Sequence, residues 1–159
     1  VGLKNNMQHF KEIFFSFTHA SDPIGLAAAD FMIDYLDEDF FEALTLKTRD
    51  FFNSIQKLLQ NINDPKYQIN VSSYPGKIVL SASENNLSIH LKTFIQKEFL
   101  KKNMLFNMFF AMCEDHQKSD IDLALSAIET IVNKLNMADF DIIKETSNQL
   151  VSPVFRSQK

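Results

Sequence analysis

The sequence is poor in the residues that mark several classes of protein. Its 159 residues include no tryptophan, three glycines and one cysteine, Cys113. A single cysteine excludes a disulfide within the chain, and three scattered glycines exclude a glycine-rich phosphate-binding loop. No apolar run approaches the roughly 18 residues of a membrane-spanning helix. No basic run is longer than Lys101-Lys102, so we expect neither a nucleic-acid nor a membrane partner.

Apolar residues, and phenylalanine above all, are abundant. The chain has 16 phenylalanines, 45% hydrophobic residues and a formal net charge of −4, enough apolar side chains for one sizeable core. Its first ten residues, VGLKNNMQHF, lack the apolar centre of a signal peptide. We therefore expect a cytoplasmic protein. Because the chain begins with Val inside what reads as an ordered element, we also expect a fragment of a longer protein.

The spacing of apolar residues predicts an α+β fold, with a small three-stranded sheet and helices packed on one side. Asp22 and Pro23 favour the start of a helix that runs to Leu36. The later predicted elements follow in chain order. They are a long amphipathic helix ending near residues 63–65, a hairpin in YQINVSS and KIVLSAS, a helix capped near Asn86, a strand in MLFNMFFAM covered on both faces, a helix opening with Ser119 and Asp122 in a capping box, and a short helix before the tail.

Few residues are candidates for catalysis. The four histidines are spread along the chain, and only CEDH, Cys113 to His116, resembles a metal-binding spacing. Without a second such pair we predict no metal site, with Cys113 buried at a strand end and His116 solvated. Asp120 and Asp122 are expected to serve a helix N-terminus as cap and dipole partners. Of the two arginines, we expect Arg49 on the surface, whereas Arg156 in the tail could fold back toward a site.

The segment THASDP, Thr18 to Pro23, is the most distinctive polar stretch. It places hydroxyl and imidazole groups before a helix N-terminus, where unpaired N–H groups and the helix dipole can bind a phosphate or carboxylate. Alternatively, Asp22 supplies the negative charge itself, and the segment is then an ordinary helix cap. Residue chemistry leaves both interpretations open.

The segment FFSFTHASDPIGLAAADFMIDYLDED resembles the class III pyridoxal-phosphate-dependent aminotransferases, in particular the glutamate-1-semialdehyde 2,1-aminomutase-like branch. Thr18 matches a family threonine, Pro23-Ile24 a helix start, and Ala27 to Ala29 an alanine run. Later segments resemble the family in order, including LKTFIQKEFLKKNMLF, QKSDID, LALSAIETIVNKL and PVFR. The resemblance extends over nearly the whole chain, and its most specific part is Thr18 to Ala29.

The resemblance implies the C-terminal part of a fold-type I enzyme. Residues 1–36 would be the end of the large domain, with an interface segment and its first helix, and residues 37–159 the small domain. Thr18 would bind the phosphate of pyridoxal 5'-phosphate in the other subunit of a homodimer, and the substrate would be a small amino-group donor or acceptor. The catalytic lysine lies upstream in the family, so no catalytic residue is expected in this chain.

Two alternatives remain open. The family has glycines where this chain has Phe17 and Ser21, a difference that fits a catalytically silent relative, since glycine lets backbone approach a ligand closely. The second alternative is a protein-interaction module whose phenylalanine-rich helix packs on a partner.

Overall fold

The computed structural model describes residues 22–83, 86–148 and 150–151. The chain divides into two compact units, Val1–Phe40 and Phe41–Lys159. In the described part of the chain, no helix is both long enough and apolar enough to cross a lipid bilayer.

Helix α1, Pro23–Tyr35, begins where the sequence predicts. The Asp22 side chain accepts a hydrogen bond from the Ile24 N–H at 3.1 Å, and Pro23 takes the first helical position, where an N–H would have no partner. The helix ends as the Leu36 N–H bonds to the Met32 carbonyl. None of its residues is buried, although most of them are apolar.

Helix α2, Glu38–Leu59, carries two acidic residues in its first turn, which suits the helix dipole. Its buried residues, Thr48, Phe51, Ile55 and Leu59, recur every three or four positions and form one stripe. The predicted end near residues 63–65 is wrong, because the helix stops at Leu59.

A long-range contact explains this early end. The Asn136 side chain donates to the Asn61 carbonyl at 2.7 Å and accepts from the Asn63 N–H at 2.9 Å. These bonds hold the backbone outside helical geometry, and a 3₁₀ turn, Pro65–Tyr67, follows.

The predicted hairpin and three-stranded sheet are confirmed. Strands β1, Ile69–Tyr74, and β2, Lys77–Ala82, pair antiparallel, with Tyr74 opposite Lys77 across the turn. Gly76 in this turn has φ +71°, a conformation that favours glycine. Strand β3, Phe109–Ala111, pairs with β2 and gives the order β1-β2-β3.

The long strand predicted in MLFNMFFAM is wrong, because only Phe109–Ala111 is extended in the sheet. Asn103 and Met108 both have positive φ, near +60°, so the backbone turns twice before the strand begins. Nor is the strand covered on both faces, since Phe109 and Ala111 are exposed and Phe110 is half-buried.

Three helices complete the described fold: α3, Ser88–Leu100; α4, Lys118–Leu135; and α5, Ile142–Thr146. Asn86 does not cap α3, whose N-cap is Leu87 without a side-chain bond. Ser119 and Asp122 do not form the cap of α4 either. Instead Asp120 accepts from the Gln117 N–H at 2.8 Å, since the capping box lies two residues earlier than predicted.

The core of the unit Phe41–Lys159 lies where α3 packs against β2, α4 and α5. Phe94, Ile95, Phe99 and Leu91 of α3 are almost completely buried. The remaining core residues come from the other elements of this unit except β3, and from the two residues on either side of β3: Phe51, Ile55, Leu59, Tyr67, Ile69, Ile78, Leu80, Met108, Met112, Ala124, Ala127, Ile128, Ile131, Val132, Leu135 and Ile142.

Candidate functional site

The residue to which the sequence assigns cofactor binding, Thr18, lies outside the described residues, as does Arg156. Arg49 is described, and its side chain is largely exposed beside Asp50 on the surface of α2. This agrees with the surface position expected for Arg49. Of the candidate phosphate site, the structure therefore describes the helix end that follows Thr18.

That helix end is occupied by the Asp22 carboxylate. Its Oδ1 accepts from the Ile24 N–H, and the Asp22 carbonyl accepts from the Leu26 N–H. A Cβ atom placed on Gly25 would lie 3.0 Å from Asp22 Oδ2, so the carboxylate lies directly over the first turn. A phosphate on the same N–H groups would meet this like charge. With the Asp22 carboxylate in this position, the described end of α1 does not fit a phosphate.

Helix α1 presents large apolar side chains at its surface. Ile24, Leu26, Phe31 and Ile33 expose 80%, 61%, 66% and 75% of their area. Phe31 and Tyr35 stack with ring centroids 6.0 Å apart, so part of the aromatic surface is ordered within the helix. Exposed apolar surface of this extent is typical of an interaction site.

In the other unit, phenylalanines line a cleft of about 320 Å³ beside β3. Phe99 stacks on Phe106 at 4.1 Å, and Phe110 contacts both Phe51 and Phe106. The floor of the cleft is therefore a continuous aromatic cluster. Its polar members are His116 and Asp120, and an apolar concavity with a few polar groups is the usual form of a small-molecule pocket.

The loop at the edge of this cleft corrects one prediction. Cys113 is exposed, not buried. His116 is half-buried, and its Nδ1 accepts from the Cys113 N–H at 3.0 Å while lying 3.2 Å from Cys113 Sγ. The Lys47 ammonium donates to the carbonyls of Glu114 and His116. These contacts fold the loop on itself, and among the described residues no group of three or more His, Cys, Asp or Glu side chains is arranged to hold a metal.

The two carboxylates at the start of α4 have separate roles. Asp120 caps the helix through the Gln117 N–H, as expected of an acidic residue at this position. Asp122 accepts from Lys118 at 2.6 Å on the surface. The pair therefore does not form an acid–base site.

Glu98 is the one buried acidic residue of the described core. It is 3% exposed, and its two carboxylate oxygens accept from Lys101 and from Lys134. Burial by itself would raise the pKa of Glu98, but the hydrogen bonds from the two ammonium groups outweigh it and hold the pKa below its ordinary value. The bond to Glu98 in turn raises the pKa of Lys101.

Sequence reasoning missed both the aromatic cleft and this ion cluster. A Glu98–Lys101 spacing of three on one helix was a visible signal for half of the cluster, but nothing in the sequence placed Lys134 against it. No protein-family model matches the chain, and no curated protein matches it in sequence.

Proposed function

We propose that this chain is the C-terminal portion of a pyridoxal-phosphate-dependent aminotransferase or aminomutase of fold type I, related to the glutamate-1-semialdehyde aminomutase-like branch. The observation that carries the proposal is the order of elements. An Asp22-capped, alanine-rich helix precedes a long helix, a hairpin, a helix, a short third strand and a helix. This is the order in which the sequence resembles the end of the large domain and the small domain of that family.

The role of the chain in such an enzyme would be structural and positional. Pyridoxal 5'-phosphate, when bound, would act as the electron sink for chemistry at the substrate amine. Residues of this chain would contribute the Thr18 hydroxyl to the phosphate. Because Asp22 occupies the N-terminus of α1, that hydroxyl would act without help from the first turn of the helix.

The exposed apolar surface of α1 supports a partner. A homodimer with a second subunit would remove Ile24 and Phe31, which lie seven residues apart on one face of α1, from water, which favours association. In that dimer the Thr18 of one subunit would serve the cofactor of the other, and the substrate would be a small amino-group donor or acceptor.

The first test is covalent trapping. The longer protein is incubated with pyridoxal 5'-phosphate, reduced with borohydride and mapped by peptide mass analysis. We expect one stoichiometric label, on a lysine upstream of Val1, because a reactive amine must be positioned and desolvated. The 159-residue chain alone should show only slow, scattered labelling. Stoichiometric labelling of a single lysine within residues 1–159 would contradict the proposal.

The second test concerns Thr18. A hydroxyl bond to a charged phosphate is worth about 1.5–3 kcal/mol, so Thr18→Ala should weaken cofactor binding about tenfold to a hundredfold. Mixing Thr18→Ala chains with chains that lack the upstream lysine should restore activity at low cofactor concentration. Each heterodimer then has one site with an intact lysine and an intact threonine from the other subunit.

The matched control mixes wild-type chains with chains that carry both changes, Thr18→Ala and loss of the upstream lysine. If heterodimers form, as measured by native mass spectrometry, and the first mixture is no more active than its parents, the cross-subunit role of Thr18 is wrong.

A catalytically silent relative is the second candidate, and the Asp22 carboxylate favours it. A fixed negative charge over the first turn of α1 opposes phosphate binding there. In this case borohydride trapping of the longer protein should yield no stoichiometric label on any lysine, while the dimer still forms.

A further inference from the structure

In the described part of the chain, strand β1 lies at one edge of the sheet and pairs only with β2. Tyr74 faces Lys77 across a two-residue turn, and the Ser83 N–H bonds to the Gln68 carbonyl at 3.2 Å. In an antiparallel pair, every second residue of a strand exchanges backbone hydrogen bonds with its neighbour. These two pairs show that the residues of β1 bonded to β2 are Gln68, Asn70, Ser72 and Tyr74.

The backbone groups of Ile69, Val71 and Ser73 therefore point away from β2. Their N–H and C=O groups form the row that an additional strand would use. Edges of this kind are usually protected by charged side chains, proline or a bulge. Strand β1, INVSSY, contains no charged residue and no proline, and its register with β2 is unbroken.

Beside this edge lies a groove of about 480 Å³ between α2 and β1. Asp64 is its single charged lining residue, and Lys66 neutralises it at 2.8 Å. A two-fold contact brings each surface against its own copy, so unpaired charge would face like charge. This surface avoids that penalty because its polar lining is mostly carboxamide: Gln56, Gln60, Asn63, Gln68 and Asn70.

We propose that two copies of this chain associate through antiparallel pairing of their β1 edges, with Val71 at the two-fold axis. In this register Ile69 lies opposite Ser73 of the second copy, and Val71 lies opposite Val71. All three outward residues then form ladder bonds, whereas a register centred on Asn70 or Ser72 uses only two of them. The Val71 side chain lines the groove, so the second copy's Val71 comes directly beside it.

This contact is independent of the proposed catalytic role, and it is distinct from any association through α1. Amide hydrogen exchange of the 159-residue chain separates the two. As protein concentration rises, the N–H groups of Val71 and Ser73 should gain about tenfold or more in protection. Those of Ser72 and Tyr74, already bonded to β2, are the internal control. Unchanged exchange at Val71 and Ser73 while the chain self-associates would overturn the proposal.

A charge-exchange experiment tests the register. Val71→Asp and Val71→Lys each place two like charges opposite one another, which should raise the dissociation constant of the β1 contact about tenfold. An equimolar mixture should form heterodimers with affinity close to wild type, because Asp then faces Lys. Ser81→Asp, on the central strand β2, is the matched control and should associate normally.

Circular dichroism of each Val71 variant establishes that it is folded, and the exchange measurement on the wild-type chain tests the contact without any substitution. If each variant alone has the same dissociation constant as the mixture, Val71 does not lie at the two-fold axis and the proposed contact is refuted.

Discussion

At the scale of single residues, Glu98 is the buried acidic residue of the described core. Its carboxylate is buried on α3, yet it is bonded to Lys101 on the same helix and to Lys134 on α4. Both ammonium groups reach solvent more than the carboxylate does. Loss of the carboxylate would therefore leave two lysines that can rehydrate, whereas loss of both lysines would leave a buried charge without a partner.

Glu98→Gln should lower the free energy of unfolding by about 1.5–3 kcal/mol at neutral pH, because charge-assisted hydrogen bonds are lost. The folded pKa of Glu98 lies below its ordinary value of 4.5. Its stabilising contribution is thus present above that value and is lost as pH falls through the folded pKa. Urea unfolding at pH 7 and at about pH 3 should show the difference between wild type and Glu98→Gln shrinking with acid.

Glu129→Gln, on the exposed face of α4, is the matched control and should change stability little at either pH. If wild type and Glu98→Gln differ in free energy of unfolding by the same amount at about pH 3 as at pH 7, the charge of Glu98 is not what stabilises this position.

At the scale of elements, the β1–β2 hairpin depends on one backbone conformation. Gly76 has φ +71°, and its carbonyl accepts from the Met112 N–H at 2.7 Å. The same residue thus closes the hairpin and ties it to the segment after β3. A side chain added there would approach the Leu44 side chain at 3.4 Å.

Gly76→Ala should lower the free energy of unfolding by about 1–2 kcal/mol, the approximate cost of a left-handed conformation for an ordinary residue. Gly76→Asn is the matched comparison, since asparagine adopts this conformation more readily, and it should lose less. Denaturant unfolding of both variants measures the effect. Equal stability of wild type and Gly76→Ala would show that the turn relaxes without cost.

At the scale of the whole molecule, the burial of apolar surface is uneven. The unit Phe41–Lys159 encloses a continuous core around Phe94 and Phe99, while α1 leaves all of its apolar side chains unburied. Because apolar area in water favours association, we expect the 159-residue chain to bind a hydrophobic dye and to self-associate.

Replacing Ile24 and Ile33 of α1 together by serine should lower dye fluorescence by roughly half, since both are large apolar side chains that are mostly exposed. Leu105→Ser is the matched control, because Leu105 lies in the other unit and is 95% exposed. It should change dye binding little. Fluorescence titration is the measurement, and an equal loss in both variants would show that α1 is not the main apolar surface.

The sequence predicted much of the local structure but little of the candidate site. Asp22-Pro23, the alternating hairpin and the apolar stripe of α4 were readable, because caps and periodicity act within a few residues. The short β3 was misread as a long strand, since an apolar run carries no signal of the positive φ at Met108. The contact of Lys134 with Glu98 could not be predicted for a related reason: the two residues lie on different helices and are 36 positions apart in sequence.

What the sequence determined by itself is the set of helices and strands and their order, because hydrogen bonding of nearby backbone and the pattern of apolar residues fix each one. Tertiary structure decided where α2 stops, through Asn136, and that Cys113 is exposed beside His116. It also decided that, in the described part of the chain, β1 lies at an edge of the sheet beside a groove whose single charged lining residue, Asp64, is paired with Lys66. Each of these features depends on contacts between residues that are distant in sequence, and the local sequence pattern does not specify such contacts.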